Sequence, residues 1–206
     1  MSYISFIKKK FYSDLRILFS TLEITTIWNQ WVVKEILKIS LIEYLSKVNF
    51  KIEKRHVSKI NALVLHLLKG HPVQYFFGYT YFKDLKIHVN QHVLIPRPET
   101  EELIDLVLSY KDDSKIKRIV DIGIGSGCIS VALKKEMNAI VLGLDYCREA
   151  LSVAIKNAKH HNVDIECILI NILNKKEYCD IPKLDIIISN PPYVLDSEVS
   201  QDSNIL

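Results

Sequence analysis

Glycine and proline are missing from the first 69 residues of this 206-residue chain; the first of each are Gly70 and Pro72. A stretch without either breaker cannot be a turn-rich β architecture, and its apolar residues recur at helical spacing, as at Ile27, Trp31, Ile36, Ile39, Ile42 and Leu45. Close cysteine pairs are also missing. Cys128, Cys147, Cys167 and Cys179 stand far apart, which excludes zinc-finger spacing and a disulfide scaffold and leaves reduced structural thiols with no metal. Long apolar runs are absent too: Ile60 to Leu68 and Ile181 to Ile188 are too short to span a bilayer. The start, Met1 to Tyr12, carries its lysines after its apolar residues and shows no small-residue cleavage site, so no secretory signal is read there. A cytoplasmic, monomeric protein with no membrane partner is expected. Arginine is scarce beside lysine, which weakens any case for specific phosphate forks.

What is present is a core's worth of apolar residues, 49% of the composition, and an uneven charge. Residues 1–72 hold 12 Lys+Arg against 5 Asp+Glu, a net of +7, while the rest holds 15 against 19, a net of −4. Such a basic front half could face an acidic protein, RNA or a ribosomal surface, but solvated lysine-rich helix faces look the same and are the favoured reading. The front segment reads as all-helical from Ser5 to about Leu68, with helix starts at Ser13-Asp14, Ser20-Thr21 and Ser58 and a stop at Gly70 and Pro72. Trp28 and Trp31 read as packing residues.

Between Pro72 and Pro96 the pattern changes to alternation, Tyr79-Thr80-Tyr81-Phe82 and Leu85-Lys86-Ile87-His88-Val89 around Lys83-Asp84, which predicts a β-hairpin with His88 on its solvent side. Pro96-Arg97-Pro98-Glu99-Thr100-Glu101-Glu102 then opens a helix, its acids suited to the first turn. From Ile116 onward strands and helices alternate, the pattern of a parallel doubly wound sheet. Strands are predicted over Ile119–Ile122, Ile140–Leu144, Ile165–Ile170 and Leu184–Ser189. The expected organisation is a helical docking domain over 1–72, a hairpin linker over 73–96 and an α/β domain over 97–206.

Two motifs carry chemistry. Gly123-Ile124-Gly125-Ser126-Gly127 joins the first α/β strand to a helix near Cys128, and Asp145 ends the second strand, where a carboxylate can accept both hydroxyls of a ribose. The spacing is not the Gly-x-Gly-x-x-Gly dinucleotide fingerprint, and Asp121 just before the loop would repel a pyrophosphate while attracting an ammonium, so S-adenosylmethionine fits better than NAD. The second motif is Asn190-Pro191-Pro192-Tyr193, directly after the last strand. Two prolines stiffen the loop, Asn190 and the Pro191 carbonyl offer two acceptors to one planar NH2 group, and Tyr193 offers a flat face to stack on it.

With Pro72-Val73-Gln74-Tyr75 and Val93-Leu94-Ile95-Pro96-Arg97-Pro98-Glu99-Thr100-Glu101 added to these motifs, the chain resembles the protein-(glutamine-N5) methyltransferases of class-I peptide chain release factors, the PrmC/HemK family. The resemblance covers nearly the whole chain and implies a Rossmann-like S-adenosylmethionine-dependent methyltransferase sheet, incomplete at the C-terminus, behind a helical bundle and a linking hairpin. It implies cofactor contacts at Asp121, Gly123, Ile124, Gly125, Ser126, Gly127, Asp145, Asn171, Ile172 and Asn190. Substrate contacts would fall at Asn190, Pro191, Pro192 and Tyr193, with Asn190, Pro191 and Tyr193 catalytic, and the substrate would be the glutamine of a Gly-Gly-Gln motif in a release factor. No direct nucleic-acid partner is implied.

Asn171 stands where the family generally has an acid, Ile172 where an aromatic is frequent, and the chain ends at Leu206, short of the family's further strands. Two other readings follow from the same residues: a methyltransferase of exocyclic base amines, which would need a basic channel and a flipped base, and an inactive fragment that only binds a partner.

Overall fold

The computed structural model describes residues 2–47, 49–110, 115–175 and 182–191. The chain divides into two compact units between Phe77 and Gly78.

The first unit is helical because its apolar residues close on one core. Helix α1 (Ile4–Leu15) buries Ile4, Ile7, Phe11 and Leu15 at helical spacing. Helix α2 (Thr21–Ile27) starts at Ser20, whose Oγ accepts from the Glu23 N–H while the Glu23 carboxylate accepts from the Ser20 N–H, a reciprocal capping box. Ser13 and Ser58, by contrast, lie inside helices rather than at their starts. Helix α2 continues as a π-helix over Trp28–Ile36. Trp28 is fully buried, its ring edge-on to Phe11 and its Nε1–H donating to the Tyr44 hydroxyl at 3.1 Å. Helix α3 (Leu41–Ser46) buries none of its residues: Ile42 and Leu45, which share the helical spacing of the core positions, are 82% and 71% exposed. Its inward anchor is Tyr44. Helix α4 (Lys54–Leu68) ends before Gly70, which takes a φ of 79°, and the short α5 (Val73–Phe77) stacks Phe77 on Trp31. The segment is not wholly helical. Strands β1 (Ser2–Tyr3) and β2 (Lys51–Ile52) pair antiparallel, Ser2 opposite Ile52.

The second unit begins with the hairpin of β3 (Tyr79–Phe82) and β4 (Leu85–His88). Its two-residue turn places Lys83 and Asp84 both at positive φ, which matches the twist of the paired strands. The 73–96 stretch thus divides between the units, α5 falling in the first and the hairpin in the second. Helix α6 (Glu99–Leu108) carries Glu99, Glu101 and Glu102 in its first turn, and Glu101 accepts from the Lys83 N–H at the hairpin turn.

The strands β5 (Arg118–Ile122), β6 (Ile140–Asp145), β7 (Glu166–Leu169) and β8 (Ile186–Ser189) form one parallel sheet in the order β7-β6-β5-β8, with helices α7 (Cys128–Glu136) and α8 (Arg148–His160) as crossovers. Strand β6 shows how the sequence builds two faces. Val141 points into a cluster with Val131, Leu151 and Ala154 of the crossover helices, while Leu142 and Leu144 point into a second cluster with Val120 and Ile170. Gly143 shares the first face, and a Cβ there would sit 2.0 Å from Ile124 Cδ1, so any side chain would have to displace Ile124 from the strand. The Asp185 carboxylate accepts the N–H groups of Lys117 and Arg118 at 2.7 and 2.8 Å, fixing the register of β8 beside β5, and those two bonds hold its pKa below the usual range. No described helix is long and apolar enough to cross a membrane.

Candidate functional site

Because β5 to β8 are parallel, the turns that leave them all emerge at one edge of the sheet. The strand order reverses between β5 and β8, and the crevice outside the carboxyl ends at such a reversal is where open α/β sheets bind ligands. Asp121 and the glycine loop end β5, Asp145 ends β6, Asn171 and Ile172 follow β7, and Asn190 and Pro191 follow β8. The topology therefore brings the sequence-predicted positions to one rim. Pro192 and Tyr193 lie outside the described residues.

The glycine loop is laced to β6 from below and open above. The N–H groups of Gly123 and Ile124 both donate to the Leu144 carbonyl, at 2.8 and 2.9 Å. Gly123, Gly125 and Gly127 take φ values of 73°, 52° and 75°, a region that disfavours any side chain. A Cβ on Gly127 would meet Ala154 Cβ at 3.1 Å, so this glycine lets the loop lie on α8. A Cβ on Gly123 would meet nothing within 4 Å. The open side of the loop is thus a cradle next to bare backbone, at the N-terminus of α7, where a ligand can approach closely.

Asp145 shapes this loop as well as facing the rim. Its Oδ2 accepts the Gly125 N–H at 3.0 Å and its Oδ1 accepts the Cys147 N–H at 2.9 Å. A carboxylate has about four acceptor sites, which leaves room for a pair of hydroxyls. Asp121 is only 1% exposed, and its Oδ2 accepts from the Ser130 hydroxyl at 2.7 Å. Burial pushes its carboxyl up to about 6; the Ser130 bond pulls the other way without cancelling it, and nearby Asp145 adds to the rise. An arriving cation would reverse that cost. The glycine cradle, the buried carboxyl beneath it and the rim carboxylate together form a donor set that fits the amino-acid and ribose parts of S-adenosylmethionine. Asn171 Oδ1 is bound to the Leu173 N–H at 3.0 Å, and Ile172 packs on the Val120–Leu144 cluster, so both serve the turn after β7.

Asn190 is part-buried, and its Nδ2 donates to Thr100 Oγ at 2.9 Å; Thr100 is 7% exposed in the first turn of α6. Ser189 Oγ donates to the Ile122 carbonyl at 2.8 Å, tying the start of this loop to the end of β5. Pro191 has no N–H to compete for its own carbonyl.

Sequence reasoning missed Asn157. It is fully buried on α8, accepts the His88 N–H at 2.7 Å, and donates to the His88 carbonyl at 2.9 Å and the Ser126 carbonyl at 2.8 Å. The one available signal is a polar residue inside the apolar stripe of Ala154 and Ala158. His88 is accordingly not a free solvent-side residue. Its backbone is clamped by Asn157, its ring meets His160 edge-on, and burial, with Lys156 second, lowers its pKa. Thr100 and Ser130 were also missed as partners of Asn190 and Asp121. Among the described residues no cluster of His, Cys, Asp or Glu could hold a metal, and burial pushes the Cys128 thiol up to about 12, which suits an inert core thiol.

A family profile, the methyltransferase small domain, matches residues 103–204. The chain is 40% identical over 156 residues to a release factor glutamine methyltransferase of Flavobacterium psychrophilum, covering 73% of this chain and 53% of that protein. It is 33% identical over 179 residues to the protein of the same name from Lactococcus lactis, covering 86% and 64%, and 36% identical over 150 residues to that of Bacteroides thetaiotaomicron, covering 72% and 53%. The chain thus spans between about half and two thirds of the length of these relatives. By its methyltransferase small domain over residues 103–204 and the identity it shares with these proteins, the chain is similar to the release factor glutamine methyltransferases over about half to two thirds of their length.

Proposed function

We propose that the protein transfers a methyl group from S-adenosylmethionine to the side-chain amide nitrogen, N5, of the glutamine in a release factor's Gly-Gly-Gln motif. The observation that carries this reading is the placement of Asn190-Pro191 beside the glycine loop at the reversal of strand order, in a chain whose relatives bear that name. When bound, S-adenosylmethionine supplies a methyl carbon on a sulfonium, whose C–S bonding pair stays with the sulfur as a neutral thioether while the amide nitrogen's lone pair forms the new N–C bond. The leftover amide proton goes to water.

The protein's own contribution is orientation. An amide nitrogen is a poor nucleophile because its lone pair is delocalised into the carbonyl. Two acceptors, Asn190 Oδ1 and the Pro191 carbonyl, would hold both N–H bonds and turn the lone pair toward the methyl, with Tyr193 stacked on the amide plane. Such positioning can be worth about 7–11 kcal/mol of barrier in favourable systems. Asp121 would receive the cofactor's ammonium, Asp145 its ribose, and Asn171 with Ile172 would border the adenine. The helical unit, with its net of +7 over residues 1–72, would dock the release factor. A substrate in translation termination would place the protein in the cytoplasm.

The test is transfer of labelled methyl to a purified release factor, followed by peptide mass spectrometry. A gain of one methylene on the motif glutamine is the expected result. Transfer to RNA or DNA instead of the release factor would overturn the substrate, and loss of transfer on replacing that glutamine by alanine separates the two.

A further inference from the structure

We propose that Ser130 is a positioning residue whose hydroxyl holds the Asp121 carboxyl across the glycine loop in the ionised form that receives the cofactor's ammonium, an inference that rests on the S-adenosylmethionine reading above. A buried carboxyl is a poor partner for a cation until it has lost its proton, and losing it in an apolar interior costs more than in water. A hydroxyl aimed at the carboxyl lowers that cost. An ionised carboxylate has no proton to give, so in that state the bond runs one way only, Ser130 donating and Asp121 accepting. The bond is stronger to the charged form than to the neutral one, which favours ionisation whichever way the proton lies in the neutral form.

The placement of the pair supports this role. Asp121 stands on the inner strand β5, opposite Gly143 of β6 and Ile188 of β8, and is 1% exposed. Ser130 stands on α7, fully buried, and its Oγ reaches Asp121 Oδ2 at 2.7 Å. The bond thus closes over the glycine loop, joining the strand before it to the helix after it. A helical serine often turns its hydroxyl back to the carbonyl four residues earlier. Here that carbonyl belongs to Ser126, and it already accepts from Asn157 Nδ2 at 2.8 Å. The Ser130 backbone N–H favours the ionised carboxyl in the same sense as the hydroxyl. Together they fill two of about four acceptor sites and leave room for an ammonium. The other groups around the carboxyl give no such help. Asp145 of β6 opposes ionisation, and the thiols of Cys128 on α7 and Cys167 on β7, pushed up to about 12 and about 11 by burial, stay neutral. Strand β8, Ile186–Ser189, carries no ionisable side chain.

The test uses the whole protein with Ser130→Ala, which removes the hydroxyl and little else, alone and combined with Asp121→Asn. Two quantities are followed from about pH 5 to about pH 8.5: the Asp121 carboxyl signal by carbon NMR, assigned against Asp121→Asn, and S-adenosylmethionine affinity by calorimetry. The carboxyl midpoint is expected to move from about 6 to about 7 in Ser130→Ala. Affinity should follow the ionised fraction, so that the variant binds about fivefold more weakly near pH 6, about twofold near pH 7 and equally near pH 8.5. The ligand's own amino group titrates alike for both proteins and drops out of the ratio. With Asp121→Asn in place, Ser130→Ala should introduce no pH dependence.

An unmoved carboxyl midpoint overturns the proposal. So does a loss of affinity that is the same at every pH, which would make Ser130 a packing residue of the loop. If the unaltered protein binds no S-adenosylmethionine at any pH, the functional reading fails instead. The carboxyl titration needs no cofactor and still decides what Ser130 does to Asp121.

Discussion

Replacing Asp121 by asparagine should make the protein more stable and a worse cofactor binder, and pH separates the two effects. The carboxyl is buried, titrates at about 6 in the folded protein and at an ordinary 3.8 when the chain unfolds. Between those values the folded state holds a proton that the unfolded state has lost. Stability from this group is therefore full below the unfolded value and falls as pH rises through the folded one. A gap of about 2 pH units at 1.36 kcal/mol each amounts to about 3 kcal/mol. Asparagine keeps an oxygen for the Ser130 hydroxyl and carries no charge, so it escapes this loss. Urea denaturation of both proteins should give nearly equal stabilities close to pH 4, diverging to about 3 kcal/mol in favour of the asparagine variant near pH 7. Cofactor affinity should move oppositely. In the unaltered protein it should rise as Asp121 ionises through about pH 6, and in the variant it should be weaker and lack that step. A stability difference that does not change with pH, or an affinity step that survives the substitution, would refute the assignment of a buried ionisable carboxyl facing a cation.

Asn190→Ala should lower methyl transfer by at least about 100-fold, because one of the two acceptors is gone, and should leave the calorimetric affinity for S-adenosylmethionine largely unaltered; near-normal turnover would sink the two-acceptor mechanism. Asp145→Ala should weaken cofactor binding and also lower the melting temperature, since the amides of Gly125 and Cys147 lose their acceptor. A variant that melts normally and binds normally would remove both roles. Asn157→Leu should cost about 3 kcal/mol in chemical denaturation, because it strands the buried carbonyl of Ser126 and the part-buried N–H and carbonyl of His88. A cost below about 1 kcal/mol would mean that those groups find other partners.

Periodicity made the parallel sheet and the hairpin legible, and once the strands are parallel their carboxyl ends must share an edge. That is why positions as far apart in the chain as Asp121 and Asn190 could be read together. Periodicity could not say which side of a six-residue helix faces inward, so Ile42 and Leu45 matched the core pattern and lie on the surface. Two-residue strands such as β1 and β2 are too short to alternate, and nine residues cannot tell a π-helix from an α-helix. The polar partners escaped for another reason. Asn157 reaches His88 across 69 positions and Thr100 reaches Asn190 across 90, and a side chain's hydrogen-bond partner at that distance is set by packing alone.

The clamp at Asn157 bears on modularity. A hairpin between a helical bundle and a parallel sheet invites treatment as a spacer that could be trimmed, lengthened or exchanged with a relative's. Yet one carboxamide spans the last residue of β4 and Ser126 of the glycine loop, so the backbone of the spacer is tied to the loop through a single side chain. Excising the sheet from residue 97 onward would leave Asn157 gripping only Ser126, with an unfilled acceptor in its core. A chimera joined inside the hairpin would transmit any shift at His88 straight to the glycine loop. The natural seam for dissection or recombination is the Phe77–Gly78 junction, upstream of the hairpin.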